Sequence, residues 1–227
     1  MPIRCIVYDL DDTLLDTSRL IVPRAAKRSC QFLIDAGLSL SLEQCQELRA
    51  QMAKKYSHKE IFAKLAAEYG LSSTHPAVEQ AIQAFYNPEV PSSLPVFDGA
   101  LEVLQKLQDK GYSLYLVTSG DPKTQNKKID VMGVRSWFKQ VFIPNSLLHE
   151  RKENAFRQIL ALENIQSTEL LSFGNRLSSE IRDAKRAGCT TCYFAYGEHL
   201  GEQPQFAEDH PDFTISRHEE LISQCGL

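Results

Sequence analysis

A chain of 227 residues, 43% hydrophobic and 24% charged, suffices for one large domain or for a core carrying a smaller insert, with a sizeable buried core in either case. Its formal net charge of −4 argues against a basic face for nucleic acid or an anionic membrane. No apolar run approaches the ~20 residues that a membrane span needs, and Met1-Pro2-Ile3-Arg4-Cys5 leads directly into a strand rather than a signal-peptide h-region, so a cytoplasmic location is expected.

Residues 3–8, IRCIVY, are short, apolar and β-branched, which reads as a buried strand. From about 17 to 93 the texture changes to helical spacing, in SRLIVPRAAKRSCQFLIDAG, then SLEQCQELRAQMAKKYSHKEIFAKLAAEYGL, then a third helix, HPAVEQAIQAFYN, with Pro76 in its first turn. PEVPSSLP, residues 88–95, breaks any helix and serves as a linker. Strands and helices then alternate: helix 99–111, strand 112–119, helix 122–133, strand 140–144, helix 152–165, strand 170–174, helix 178–188, strand 190–197 and a last helix, HEELISQCG. Strands separated by helices of this length imply βαβ crossovers and a parallel sheet. The expected fold is therefore α/β, a Rossmann-like parallel sheet formed by 1–16 and 94–227, with a helical cap, 17–93, inserted above the strand ends where open α/β sheets bind ligands.

The six cysteines, at 5, 30, 45, 189, 192 and 225, show no disulfide-like rhythm and read as buried thiols of a reducing compartment. Cys189 and Cys192 form a C-x-x-C within a β-like stretch, where residues three apart point to opposite faces, which argues against a metal or redox pair.

The polar residues that carry chemistry stand at the ends of strands. Asp9 follows the first strand and Asp11 lies two residues on, so an extended backbone puts both carboxylates on one side, where they share a proton or a cation. Thr118, Ser119 and Gly120 end the second strand and offer hydroxyls and close backbone approach ahead of a helix that starts at Asp121-Pro122. Lys152 begins another helix, and Asn175 follows a strand with Glu180 five residues later.

This succession resembles the haloacid dehalogenase superfamily of aspartate-nucleophile hydrolases, phosphatase-type, with an α-helical (C1-type) cap inserted after the first motif. Asp9-Leu10-Asp11-Asp12-Thr13-Leu14 is similar to the first motif, Thr118 to the second, and Lys152 with Phe156 to the third. Gly174 to Glu180 occupies the fourth, where the family usually shows Gly-Asp-x-x-x-x-Asp; here Asn175 and Glu180 replace the two acids. The resemblance implies Asp9 as nucleophile, Asp11 as general acid and then base, and Thr118, Ser119, Gly120 and Lys152 around the phosphoryl group. It also implies Mg²⁺ on an Asp9 oxygen, the Asp11 backbone carbonyl and Asn175, with one negative charge fewer than usual. Asp11 favours phosphate esters over halides, because a halide leaves without a proton. The expected function is hydrolysis of a small phosphorylated metabolite through an aspartyl-phosphate; the alternatives are a phosphomutase or a binding protein on a degenerate fourth motif.

Other charges stay open at this level. Glu180 either orients Lys152 or a metal-bound water, or is a first-turn helix acid. Asp12 reads as a turn residue or an orderer of metal waters, and Asp16 as the cap of the first inserted helix. Arg24, Lys27 and Arg28 share a helix face that suits an anion or plain solvent, Arg19 lies nearer the nucleophile, and Arg176 adjoins Asn175.

Overall fold

The computed structural model describes residues 2–227 and divides the chain into two compact units, Met1–Asp16 with Pro91–Leu227, and Thr17–Val90. The return from insert to core falls at 91 rather than 94.

The first unit is built on a parallel six-stranded sheet in the order β3-β2-β1-β4-β5-β6. Its strands are β1 (Cys5–Tyr8), β2 (Ser113–Val117), β3 (Gln140–Phe142), β4 (Leu170–Gly174), β5 (Thr190–Phe194) and β6 (Phe213–Ile215). Period two divides β1 between two cores. Ile6 and Tyr8 pack with α6 (Ala100–Asp109) and α10 (Glu220–Cys225), while Cys5 and Val7 pack with α8 (Lys152–Glu163) and α9 (Arg182–Arg186). All four β1 residues are buried, as a strand covered on both faces must be. The same alternation separates Cys192, on the α6 side, from Cys189, on the α8 side. All six cysteines are buried and unbridged, so the C-x-x-C is two core thiols facing apart.

Two departures from the expected elements have local causes. β6 is only three residues long and sits at the sheet edge with a single buried side chain, too little pattern to register in sequence. The helix expected over 178–188 opens instead as a π-helical turn, Leu177–Ile181, before α9, with the Ile181 amide donating to the Arg176 carbonyl. α7 (Pro122–Met132) starts as its sequence suggests: Asp121 accepts from the Thr124 amide at 2.8 Å, and proline occupies the first turn.

The second unit is helical: α1 (Thr17–Leu20), α2 (Val22–Asp35), α3 (Leu42–Met52), α4 (His58–Glu68) and α5 (Pro76–Tyr86). The long stretch expected as one helix is two, because Ser57 and Glu60 close a capping box that starts α4 afresh, as Ser41 and Gln44 do for α3. Ala25, Ala26, Ser29, Cys30 and Leu33 line the buried side of α2, leaving Arg24, Lys27 and Arg28 on its exposed face. Among the described residues no helix is long and apolar enough to cross a membrane.

Candidate active site

The register of the sheet assembles the site. Tyr8 pairs with Phe173, and the Asp9 amide donates to the Phe173 carbonyl at 2.9 Å, which carries Asp9 past the end of β1 beside Gly174. A Cβ on Gly174 would lie 3.2 Å from the Asp9 Cβ and 2.4 Å from the Glu180 Cγ. Only glycine permits Asp9 and Glu180 to close on one another there.

Lys152 reaches both acids, its Nζ donating to Asp9 Oδ1 and to Glu180 Oε1, each at 2.5 Å. All three side chains are buried, with Lys152 2% exposed. Burial pushes the Asp9 carboxyl up to about 8, with Glu180 and Asp11 adding to the rise and Lys152 opposing it. Burial works against charge on Glu180 too, but the Lys152 ammonium, helped by Ser179 and Arg176, holds that carboxyl below its ordinary range. Burial likewise opposes the Lys152 charge, and the two carboxylates more than offset it. Two acid groups thus share one ammonium in a desolvated place, and a further cation beside Asp9 would favour its ionised form.

Glu180 is therefore more than a first-turn acid. Its Oε1 holds Lys152 while its Oε2 accepts from the Arg176 amide at 3.0 Å, and the wide π turn sets both contacts. Lys152 is also fixed through its backbone: its amide donates to Asp183 Oδ2 at 2.9 Å, and Arg151 donates to Oδ1 of the same carboxylate. Asp183 thus caps α8 from another element, a contact with no signal in local spacing.

Asp11 is placed differently. Its side chain is 29% exposed against 6% for Asp9, so Asp11 faces outward. Lys128 Nζ donates to its Oδ1 at 2.7 Å and Gln125 Nε2 to its Oδ2 at 2.8 Å. The same Gln125 nitrogen reaches Thr118 Oγ1 at 2.6 Å and the Ser119 carbonyl at 3.3 Å. Thr118, expected at the site, thus joins Asp11 through a residue that was not. The sequence signal for Gln125 and Lys128 was faint: they share the buried face of α7 with Thr124 and Ile129, but polar residues on a helix ordinarily face water.

The turn after β2 is tied by its backbone to the end of β3. The Thr118 amide donates to the Phe142 carbonyl and the Gly120 amide to the Pro144 carbonyl, both at 3.1 Å. Gly120 thus does not offer its N–H to an anion; its place is conformational, with φ of +154° and Gln125 side-chain atoms 3.1 Å from where a Cβ would stand. Ser119 is half-buried between them.

Asp12 and Asp16 both reach the turn after β5. Asp12 has φ of 54°, a conformation that Asp tolerates better than most residues. Its Oδ2 lies 2.4 Å from where a Cβ on Gly197 would stand and accepts from the Glu198 amide at 3.4 Å, while Asp16 accepts from the Tyr196 hydroxyl at 2.9 Å.

The atoms expected to hold a divalent ion are all oxygens, which suits the chemistry of a hard cation. Asn175, 3% exposed, donates its Nδ2 to the Tyr196 carbonyl at 3.3 Å. That carbonyl only accepts, so the facing atom is the amide nitrogen, and Asn175 Oδ1, an acceptor, is the atom a cation would use. With an Asp9 carboxylate oxygen and the Asp11 carbonyl this is an all-oxygen set, the chemistry that Mg²⁺ prefers. Among the described residues there is no group of three or more His, Cys, Asp or Glu that could hold a metal, so the set depends on one carboxylate and neutral oxygens.

Comparison with known proteins agrees with the fold. The family model for haloacid dehalogenase-like hydrolases matches residues 6–194, and the chain belongs to that family. It is similar to the glyceraldehyde 3-phosphate phosphatase of Methanopyrus kandleri, 28% identical over 97% of this chain and 96% of that protein. The protein of the same name from Pyrococcus abyssi is 30% identical over 86% of this chain and 83% of its own length. Among solved structures, the HAD-hydrolase YfnB of Bacillus subtilis, bound to magnesium, shares the fold with a TM-score of 0.65 at 22% identity, covering 98% of both chains.

Proposed function

We propose that this hydrolase is a Mg²⁺-dependent phosphatase acting on a small phosphorylated metabolite through an aspartyl-phosphate on Asp9. The observation that carries the reading is the second carboxylate: Asp11 stands two residues from a buried Asp9–Lys152 pair and faces outward, where a leaving alkoxide needs a proton. In the first step an Asp9 carboxylate oxygen forms a bond to phosphorus as the bond to the substrate oxygen breaks, and Asp11 gives its proton to that oxygen. In the second, Asp11 takes a proton from water, the water oxygen bonds to phosphorus, the Asp9–phosphorus bond breaks, and phosphate leaves. Lys152, the Thr118 hydroxyl and the Ser119 amide offset charge on the phosphoryl oxygens throughout, which is most of the catalytic task. Asp9, the Asp11 carbonyl and Asn175 would hold Mg²⁺, whose chemistry here is to neutralise the meeting of two anions.

Relatives named glyceraldehyde 3-phosphate phosphatases support a three-carbon phosphate as the first substrate to try. Six buried, unbridged thiols support a reducing compartment, the cytoplasm. Phosphate release from glyceraldehyde 3-phosphate and from p-nitrophenyl phosphate, with Mg²⁺ and with a chelator, tests the reading. Turnover that needs Mg²⁺ supports it; a parent protein that releases no phosphate from either compound, or from a panel of metabolite phosphates, sinks it.

A further inference from the structure

Gln125 and Lys128 lie three residues apart on α7, one turn along a single face, and both are buried, at 2% and 5% exposure. Neither is part of the four motifs that carry the resemblance to the family, yet together they hold both oxygens of the Asp11 carboxylate. The Gln125 amide is chemically unambiguous. The Ser119 carbonyl only accepts, so the atom facing it is the NH₂ group. It follows that Thr118 Oγ1 accepts from Gln125, and that the Thr118 hydroxyl hydrogen is turned away from Gln125.

We propose that Gln125 and Lys128 are positioning residues that set two groups at once: the plane of the Asp11 carboxylate toward the leaving oxygen, and the Thr118 hydroxyl hydrogen toward a phosphoryl oxygen. The proposal rests on the phosphatase reading above. Lys128 acts through Asp11 alone, whereas Gln125 acts through Asp11 and Thr118. That division gives the two residues different signatures, which a merely structural role would not produce.

The test is kcat/KM on two substrates of unlike leaving group. Glyceraldehyde 3-phosphate leaves as an alkoxide and needs the Asp11 proton; p-nitrophenyl phosphate leaves as a stabilised phenolate and needs it far less. Because kcat/KM reports steps only as far as release of the leaving group, the later work of Asp11 on water does not enter. Lys128→Met should lose on the order of 10²-fold on glyceraldehyde 3-phosphate, the lower range for losing a general acid, and less than about tenfold on p-nitrophenyl phosphate. Lys128→Arg, which keeps the charge, should recover part of the loss. Gln125→Leu should fall on both substrates. In an Asp11→Asn background, Lys128→Met should cost nothing more.

Equal losses of Lys128→Met on both substrates, or losses of Lys128→Met and Asp11→Asn that multiply in the double variant, overturn the proposal. If Lys128→Met does not fold by circular dichroism, Lys128→Gln, with a neutral amide, carries the same comparison. A parent protein without turnover sinks the phosphatase reading and this one with it; an active parent whose variants show no substrate selectivity sinks this one alone.

Discussion

The two ends of the same parallel sheet use charge in opposite ways. At the amino end of β2 a single carboxylate, Glu163, is surrounded by donors. Its Oε1 accepts from the Tyr115 hydroxyl at 2.5 Å and from Lys139 at 2.9 Å, and its Oε2 from the Ser113 hydroxyl at 3.0 Å. Burial raises its pKa, but those hydrogen bonds outweigh burial and hold the carboxyl below its ordinary range. At the carboxyl ends of β1 and β4 the ratio is inverted, with Asp9 and Glu180 sharing the ammonium of Lys152. A satisfied cluster contributes stability, whereas an under-neutralised one costs some and, on the proposed reading, is where a cation and a phosphoryl group would bind. The sheet thus has a structural end and a chemical end.

Breaking the chemical end gives the largest expected effect. Asp9→Asn should reduce turnover by about 10³-fold or more, as loss of a nucleophile does, yet leave the melting temperature unchanged or raised, because Lys152 keeps Glu180 and a buried carboxyl that is costly to ionise is gone. A fall in both activity and melting temperature would mean that Asp9 is structural. Next in size is the metal. Asn175→Asp adds the missing negative charge, and calorimetric titration with Mg²⁺ should show roughly tenfold tighter binding; an unchanged affinity removes residue 175 from the ligand set.

The smallest effect is expected at the structural end. Glu163→Gln should cost about 1–2 kcal/mol of stability, the scale of charged hydrogen bonds at a partly exposed site, and leave turnover alone. Because the folded pKa of Glu163 lies below its ordinary 4.5, its contribution is present above that pH and is lost as pH falls through the folded value. Urea unfolding should therefore separate parent from variant at pH 7, and the gap should narrow as pH falls below 4.5. A gap that does not narrow in acid would assign the effect to packing instead.

What the sequence disclosed follows from how local each signal is. β1 and the acids after it are legible because an apolar run and its period are contained in one short stretch, and the strand ends before Thr118 and Asn175 and the helix start at Lys152 follow from alternation along the chain. β6 is too short to show a pattern. Gln125, Lys128 and Asp183 are hard to see for a different reason: each meets its partner across elements, at separations fixed by the sheet order rather than by spacing, and a buried Lys on a helix looks like a solvated one until its acid is found. The π turn at Leu177–Ile181 also has a helical sequence, and only the reach of Glu180 to both Lys152 and the Arg176 amide explains its width.

The most direct test of Asp9 as the nucleophile is chemical trapping. The parent protein is mixed with substrate and Mg²⁺, quenched in acid during steady turnover, reduced with borohydride and digested for peptide mass spectrometry. Borohydride reduces an aspartyl-phosphate to homoserine, so homoserine at position 9, dependent on substrate and absent from Asp9→Asn, is the expected result. Undiminished phosphate release with position 9 recovered only as aspartate, or homoserine at a different acid, would contradict it.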